Sequence, residues 1–593
     1  MKIYPKDIAG RTYYYAQRSC REKLDPDARG KTKGSGKSRV RSEMIYLGSA
    51  EQIVAALTQT RQPLEVRHRE FGMVAAAYET AVELGLVDAL KRHVEGERFG
   101  LPRWLYFLLP ILNRLSAPTS KARMGDWAAG TVLPTLLGFD PKRLNSQTFW
   151  YATDDVISEQ ELKQRREQHP ELDEALFVGL NDRTFRAMED AVIGALPQRY
   201  PLNGNILLYD TTNFFTYIEP PIHAQLARTG HNKDCRHHLR QVGLALCVDK
   251  TWGLPLFYRL YRGNSQDAKT FADLVGELLE ALRTGFTQVQ DLVLVLDKGN
   301  NSKDNFAALH GQVQWVGSLT PSHHEDLMAL PLESYEGRWE SGRYHRCHRT
   351  VMGIPCVLVL TYNDVLHRKQ EHALQNALDK LERQIREKWN AYRRSPKEIP
   401  TGIQSLLRES RHKDCLALSL RQGKLVITQT HAVEKRRAHF GKNLLFCANS
   451  DAESAWIIEQ YRGKDRVEDD FKLLKDPELI RWRPCRHWTD TKIRAFGFCC
   501  VMALLLLRVM ELKAAHAGLR MSPAVLKQEL DDLHEITMVY DAHTADVQIS
   551  ARSSVQQRLW DLFDLGTAQN LLTGHDPDSH PQPATQLTNT HKR

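Results

Sequence analysis

Leu292-Val293-Leu294-Val295-Leu296-Asp297 is an unbroken run of branched aliphatic residues that ends on a carboxylate. A short apolar run with no polar residue at alternate positions is the pattern of a β-strand covered on both faces, as in sheets held between layers of helix. A second run, Ile206-Leu207-Leu208-Tyr209, ends in Asp210, and two further β-prone stretches follow, Val242 to Val248 and Leu254 to Leu260. Three strands in succession predict a meander. Helical spacing over Phe271 to Leu282 precedes the Leu292 run, and the strand-like Val313 to Leu319 follows it. Strands, then alternating helix and strand, predict an α/β core in which helices flank a mixed sheet.

On the N-terminal side, residues 1 to about 60 mix β-prone pieces (Thr12 to Tyr15, Met44 to Leu47) with basic, Gly-rich turns, and predict a small sheet or hairpin pair. From Phe71 to Val94 apolar residues recur at helical spacing with Gly85 as an interruption, and a mainly helical region is expected to run to about residue 200, through the apolar Trp104 to Leu115. Ser146 to Val156 has the length of a DNA-reading helix in a helix-turn-helix. On the C-terminal side, Ser322 to Asn449 interrupts the alternation with β-prone pieces (Val351 to Leu360, Leu416 to Leu420, Leu425 to Thr428) and a long charged helix. In that helix Leu374, Leu378, Leu381, Ile385, Trp389 and Tyr392 form an apolar seam. From Ala452 to about Asp564 the chain reads as mostly helical, and its last ~25 residues, rich in His, Pro, Thr and Asn, as a disordered tail.

The 593 residues leave room for several domains, and 81 Lys and Arg against 72 Asp and Glu give a net charge of +9, which suits a polyanionic partner. Part of the excess is local: Lys31, Lys33, Lys37, Arg39 and Arg41 lie among Gly and Ser with no acid between them, the composition of a mobile basic loop or a solvated turn. The ten Cys form no Cys-x-x-Cys pair, so neither a disulfide framework nor a zinc ribbon is indicated. His345, Cys347 and His348 lack a second ligand pair at a finger spacing. Met1 opens a basic, polar segment with no apolar core, and the longest apolar run, Ala495 to Leu507, falls short of the ~18 to 20 residues that span a bilayer. A cytoplasmic protein with no membrane partner is expected.

Asp210 and Asp297 each close an apolar β-run, which places two acids where strand ends face a common crevice. Strand ends also carry Asp as turn and cap residues, so a third acid is needed to single them out. It stands in Tyr461-Arg462-Gly463-Lys464-Asp465-Arg466-Val467-Glu468-Asp469-Asp470-Phe471-Lys472-Leu473-Leu474-Lys475. At ~100° per residue, Tyr461, Lys464, Glu468, Phe471 and Lys475 fall within an arc of roughly 80°, while Asp470 points the opposite way. A face that gathers a phenol, two cations and one carboxylate suits a site holding metal and phosphate together. Gly463 costs about 1 kcal/mol inside a helix and predicts a break or a start there.

The spacing Tyr461, Lys464, Glu468, Lys475 resembles that of the DDE transposases of bacterial insertion sequences whose signature is Tyr, two residues, Arg, three residues, Glu, six residues, Lys. Lys464 stands at the Arg position, with Arg462 nearby, and Asp465 stands where many members have an aromatic residue. Tyr209-Asp210-Thr211-Thr212-Asn213 and Leu296-Asp297-Lys298-Gly299 look like the first and second acidic motifs of the family. The resemblance covers about residues 200 to 510. It implies an RNase H-like catalytic fold with a mostly β insertion between the second Asp and the Glu. It also implies Asp210, Asp297 and Glu468 as catalytic residues holding Mg²⁺ or Mn²⁺, with two ions about 4 Å apart, and Tyr461, Lys464, Lys475 and, secondarily, Arg462 as DNA-binding residues.

The organisation expected is then an N-terminal DNA-binding region over 1–200, a catalytic core over 201–321 and 450–515, a β-rich insertion with a long helix over 322–449, and a C-terminal helical region with the tail over 516–593. The implied partners are double-stranded DNA at element ends, target DNA and a second copy of the chain in a synaptic complex, on the nucleoid. His231 to Arg240, with Lys233, Arg236, His237 and His238, is a DNA-contacting loop in this reading, and Asn264, Ser265 and Asp267 a turn. Members that form hairpin ends hold a flipped base on an aromatic ring; Trp315, Trp339 and Trp389 are available, but each suits a core better, and none is chosen. Two rival readings keep the fold: a transposase-derived DNA-binding protein without chemistry, and a nuclease that cleaves without joining.

Overall fold

The Leu292 run forms the strand Val293–Leu296, buried at all four positions, inside a ten-stranded mixed sheet. The structure is a computed structural model and describes residues 2–8, 10–23, 38–58, 62–153, 167, 174–200, 205–218, 224–230, 236, 238–286, 288–392, 398–541 and 545–573. Lys31, Lys33 and Lys37 of the basic loop, residues 231–235 and 237, and the C-terminal tail lie outside these residues.

On one side Val293–Leu296 pairs in parallel with Ile206–Thr216. That strand pairs antiparallel with Arg240–Asp249, and Arg240–Asp249 with Pro255–Arg262, which is the predicted meander. On the other side come Gln314–Ser318 in parallel, then Lys442–Cys447, Ile354–Tyr362, Gly342–Val351 and Gly337–Trp339, each antiparallel to the one before. The strands of the interrupting segment therefore continue the central sheet. Val357 to Leu360 and Leu444 to Cys447 are buried on both faces, which fits strands deep inside a layered core. The hairpin Leu416–Arg421 and Lys424–Gln429 stands apart as its own two-stranded sheet. The long charged helix is Asp364–Asn390, and Leu374, Leu378, Leu381 and Ile385 of its seam are buried in a separate small core.

Asp267–Gly285 and Lys303–Leu309 supply the helices between the sheet strands. Asp267, read as part of a turn, is instead the first residue of its helix, because Gln266 is extended and Asp267 can begin the helical turn with its charge at the positive end. The apolar Ala495 to Leu507 lies within Asp490–His516, a 27-residue helix long and apolar enough to cross a bilayer by composition but 89% buried over its apolar window. It packs on Leu105–Leu115, Gly72–Glu83 and Glu174–Val192.

The described residues divide into two compact units, one within residues 69–535 and 549–573, the other within residues 2–68 and 536–548. The first unit holds the ten-stranded sheet. In the second, Lys2–Ile8, Arg11–Lys23 and Ser38–Ser49 form a three-stranded antiparallel sheet, of the two forms expected the small sheet. The C-terminal stretch read as helical contains the strands His534–Val539 and Ala545–Ile549, which share a sheet with Glu65–Glu70. Ile536-Thr537-Met538-Val539 is β-prone but too short for its pattern to stand out between helices.

Candidate functional site

Strand register places the two aspartates. Parallel pairing sets Leu296 opposite both Tyr209 and Gly317. The next residues, Asp210, Asp297 and Ser318, therefore stand in a row across three adjacent strands, about 4.8 Å from strand to strand. Asp297 follows the last residue of its strand, but Asp210 does not end one: Ile206–Thr216 runs six residues further. The strand continues past Asp210 because Thr211 to Thr216 is rich in β-branched and aromatic residues and pairs antiparallel with Arg240 to Ala245. Asp210 is 8% exposed and accepts a hydrogen bond from the Thr211 N–H at 2.8 Å.

The helix Ser454–Arg462 ends at Gly463, and a second helix, Asp465–Lys475, begins two residues later. Gly463 (φ −62°, ψ −8°) and Lys464 (φ −57°, ψ −24°) stay close to helical angles, so the side-chain face carries across the junction. From there Lys464 Nζ lies 3.1 Å from Asp297 Oδ2 and 3.7 Å from Asp210 Oδ2. The Tyr461 hydroxyl is 2.8 Å from Ser318 Oγ and 3.2 Å from Asp297 Oδ1. Lys475 Nζ donates to Thr212 Oγ1 at 2.8 Å and sits over the Phe214 ring.

Electrostatics follow the geometry. Burial pushes the Asp297 carboxyl up, but Lys464, the Lys298 N–H and Tyr461 outweigh it and hold the group below the usual carboxylate range. Burial pulls Lys464 down, and Asp210 and Asp297 more than reverse this. Burial and the nearby Asp297 charge push Tyr461 up to about 12, so it keeps its proton.

Glu468 lies one turn beyond Lys464 on the helix that packs against Ile206–Thr216. Its carboxylate is exposed and makes no hydrogen bond or ion pair with another described residue. Its neighbours differ: Asp469 pairs with Lys472 at 2.7 Å, and Asp470 is fully buried against Arg508 at 2.6 Å. Arg462 is exposed and points to Ser341 Oγ at 3.4 Å, away from the aspartates. The structure thus brings together Asp210, Asp297, Lys464 and Tyr461, sets Lys475 beside them on Thr212, and leaves Glu468 and Arg462 outside this network. Among the described residues no group of three or more His, Cys, Asp or Glu is gathered to hold a metal ion.

Ser318 joins the site without having been singled out in the sequence, and Thr212, quoted there only as part of the stretch around Asp210, joins it through Lys475. Ser318 could have been found only from strand pairing, since nothing local marks it. Of the three tryptophans, Trp315 is packed between Phe306 and Phe446 in the core, Trp389 lies in the small core of the long helix, and Trp339 donates to Ser341 Oγ at 3.0 Å. Arg236 stacks on the Phe215 ring and bonds Tyr217 Oη at 3.2 Å.

No family model and no curated protein matches the chain. Among solved structures it is similar to the piggyBac transposase synaptic complex with hairpin DNA, at 10% identity and a TM-score of 0.36 over 78% of this chain and 77% of that one. It is also similar to the Mos1 transposase paired-end complex with the left transposon end (15% identity, TM-score 0.15, 30% of this chain and 55% of that one) and to the Mos1 mariner paired end complex with Mn (15%, 0.13, 28% and 50%). Likenesses this slight leave the chemistry to the geometry: two adjacent carboxylates share one cation, with a phenol donor and a second lysine along the same helix.

Proposed function

We propose that the chain is a DNA transposase of an insertion sequence, with an RNase H-like core, that cuts phosphodiesters at the element's ends and joins the freed 3′-hydroxyl to a second phosphodiester. The observation that carries this reading is the pairing of Asp210 with Asp297 on adjacent parallel strands, both turned to the single cation of Lys464. A sheet in which a three-strand antiparallel meander is followed by two parallel strands supports the RNase H-like assignment.

The donor set fits a hard divalent ion. Asp210 and Asp297 turn carboxylate oxygens toward a point where a cation, Lys464 Nζ, already stands, and Mg²⁺ prefers oxygen ligands while keeping several waters. Asp210, Asp297 and Glu468 would hold the ions, Mg²⁺ or Mn²⁺. When bound, such ions supply Lewis acidity and offset the charge that builds on the attacking and leaving oxygens. Lys464 and Lys475 hold phosphates on either side of the scissile bond as point charges, with Arg462 a secondary contact, and Tyr461, which keeps its proton, donates a hydrogen bond to a phosphate oxygen. Base-edge recognition of the ends falls to the region over 1–200, and a homodimer would hold two ends together.

The test is cleavage of a duplex taken from the sequence flanking the gene, with Mg²⁺ or Mn²⁺. Asp210→Asn, Asp297→Asn and Glu468→Gln should each abolish nicking and strand joining while leaving duplex binding within about threefold of wild type. Nicking retained by any one of them removes that residue from the site. Nicking without joining in the wild type makes the protein a nuclease of the same fold, and binding without either makes it a DNA-binding derivative.

A further inference from the structure

Within the smaller unit, the strands Lys2–Ile8, Arg11–Lys23 and Ser38–Ser49 pair so that Tyr4 stands opposite Tyr15 and Tyr15 opposite Tyr46. Alternation along the second strand puts Tyr13 on the same side. Ring contacts join all four, Tyr4 to Tyr15 at 6.3 Å, Tyr15 to Tyr46 at 5.2 Å and Tyr46 to Tyr13 at 5.9 Å between centroids. The row is no core: Tyr4, Tyr13 and Tyr15 are partly exposed, and Tyr46 and the neighbouring Met44 are each 55% exposed. Side chains on a strand ordinarily stand away from the sheet, but the Tyr4 hydroxyl donates to Met44 Sδ on the third strand, two strand spacings or roughly 10 Å across. The Tyr4 ring therefore lies along the sheet and turns a face to solvent, and the Tyr15 ring is inclined to it by only 21°. Lys2 and Lys6 flank Tyr4 on this side, with Lys6 Nζ 5.9 Å from the Tyr15 centroid. Among the described residues neither lysine is paired with an acid, and Asp7 lies on the opposite side, where Thr12 Oγ1 donates to it at 2.6 Å.

We propose that this sheet face holds an unpaired DNA strand, its bases laid on the tyrosine rings and its phosphates on Lys2 and Lys6. Cross-strand aromatic pairs also stabilise a sheet, but that role asks neither for ring faces turned to water nor for cations beside them. The cations select an anionic partner, and the rings select one that carries flat groups at intervals along its charge. A duplex keeps its base faces inside its own stack, so a ring lying flat finds a partner only where bases are unpaired. Stacking of this kind accepts any base, since every base has a π-face, and so holds a strand without reading its sequence. The choice of DNA rests on the transposase reading; the stacking face does not.

The full chain is titrated, without divalent metal, with a labelled oligothymidine of about 12 nucleotides and with a duplex of equal length and unrelated sequence. Tyr46→Thr, at an exposed position and still β-branched, should weaken single-strand binding about tenfold and duplex binding by less than about threefold. Tyr46→Phe, which keeps the ring, should bind the single strand as wild type does. Lys2→Glu with Lys6→Glu, both exposed, should also weaken single-strand binding about tenfold or more, which keeps the test open should Tyr46→Thr melt early. A 5-iodouracil placed in the oligonucleotide should photocross-link to Tyr4, Tyr15 or Tyr46, a readout that a purely structural row of tyrosines would not give. Absence of single-strand binding by wild type, binding untouched by both variants, or cross-links only elsewhere in the chain overturns the proposal. Equal losses for single strand and duplex in Tyr46→Thr overturn it in favour of a duplex contact, and tighter binding of an oligouridine of the same length overturns the choice of DNA. None of these readouts requires cleavage. A wild type that never nicks but cross-links through this face therefore loses the proposed function and keeps the strand site, and one that nicks without such cross-links does the reverse.

Discussion

Lys464 carries its charge between Asp297 and Asp210, 3.1 and 3.7 Å from their oxygens. An ion bound by the same oxygens has to overcome a tethered competitor, so Lys464→Ala should bind Mn²⁺ more tightly, on the order of tenfold, read by calorimetry or electron spin resonance on the unreacted protein. Weaker or equal binding would show that the lysine does not share the ion's place. His487 offers a second test at this scale. Its enclosure and the charges of Lys121, Lys492 and Arg114 push the imidazole down to about 3, against an ordinary value near 6.5. The unfolded chain takes up this proton first, so the stability tied to the neutral ring is present above about pH 6.5 and is lost progressively as pH falls toward 3. His487→Gln should flatten that part of the fall in melting temperature between pH 6.5 and 4, and an unchanged slope would assign the acid sensitivity elsewhere.

The helix Asp465–Lys475 turns Lys475 and, at its junction, Lys464 to the site, and its other face is anchored by Asp470 on Arg508, which also bonds Glu511 at 2.6 Å. Asp470 and Arg508 are 0% and 2% exposed, so removing the arginine strands a carboxylate in the core. Arg508→Met should cost roughly 3–5 kcal/mol in denaturant unfolding, and Asp470→Leu added to it should restore most of that, because a buried pair replaced by packed apolar groups is often neutral. A small loss in the single variant would mean that water reaches the pair. The same helix shows what the sequence made legible. Of three consecutive acids, Glu468, Asp469 and Asp470, helical phase set Asp470 on the side opposite Lys464 and Lys475, and that side is buried at Asp470, which the phase alone did not say. The strand Val293–Leu296 was legible because continuous apolar character has few other uses. The far end of Ile206–Thr216 was not, because the apolar run stops at the polar Asp210, Thr211, Thr212 and Asn213, and only pairing with Arg240–Asp249 carries the strand past them. Nor was the place of Lys442–Cys447 between Gln314–Ser318 and Ile354–Tyr362, since pairing across more than eighty residues leaves no local mark. Ser318 went unnoticed for the same reason.

At the scale of the whole chain the charge of +9 is modest, and its use to a polyanionic partner would lie in where cations collect. Lys475 lies over Phe214, and Arg236 and Arg483 lie over Phe215, next along the strand that carries Asp210. Thr216, the last residue of that strand, bridges to Cys485, two residues after Arg483. Cations held on ring faces at successive positions of one strand are fixed in place, unlike surface lysines that trail in solvent, and so are suited to meeting phosphates at regular spacing. If a DNA strand leaves the aspartates along this line, duplex affinity should fall steeply with salt, the logarithmic slope growing by about 0.9 for each phosphate neutralised. Arg236→Gln and Arg483→Gln should each reduce the slope by roughly one and weaken binding about equally for end and unrelated sequences, as phosphate contacts carry no base information. Fluorescence anisotropy across a salt series measures both quantities. A slope unchanged in both variants would take the strand off this path, whereas a loss confined to end sequences would turn the two arginines into readers of bases.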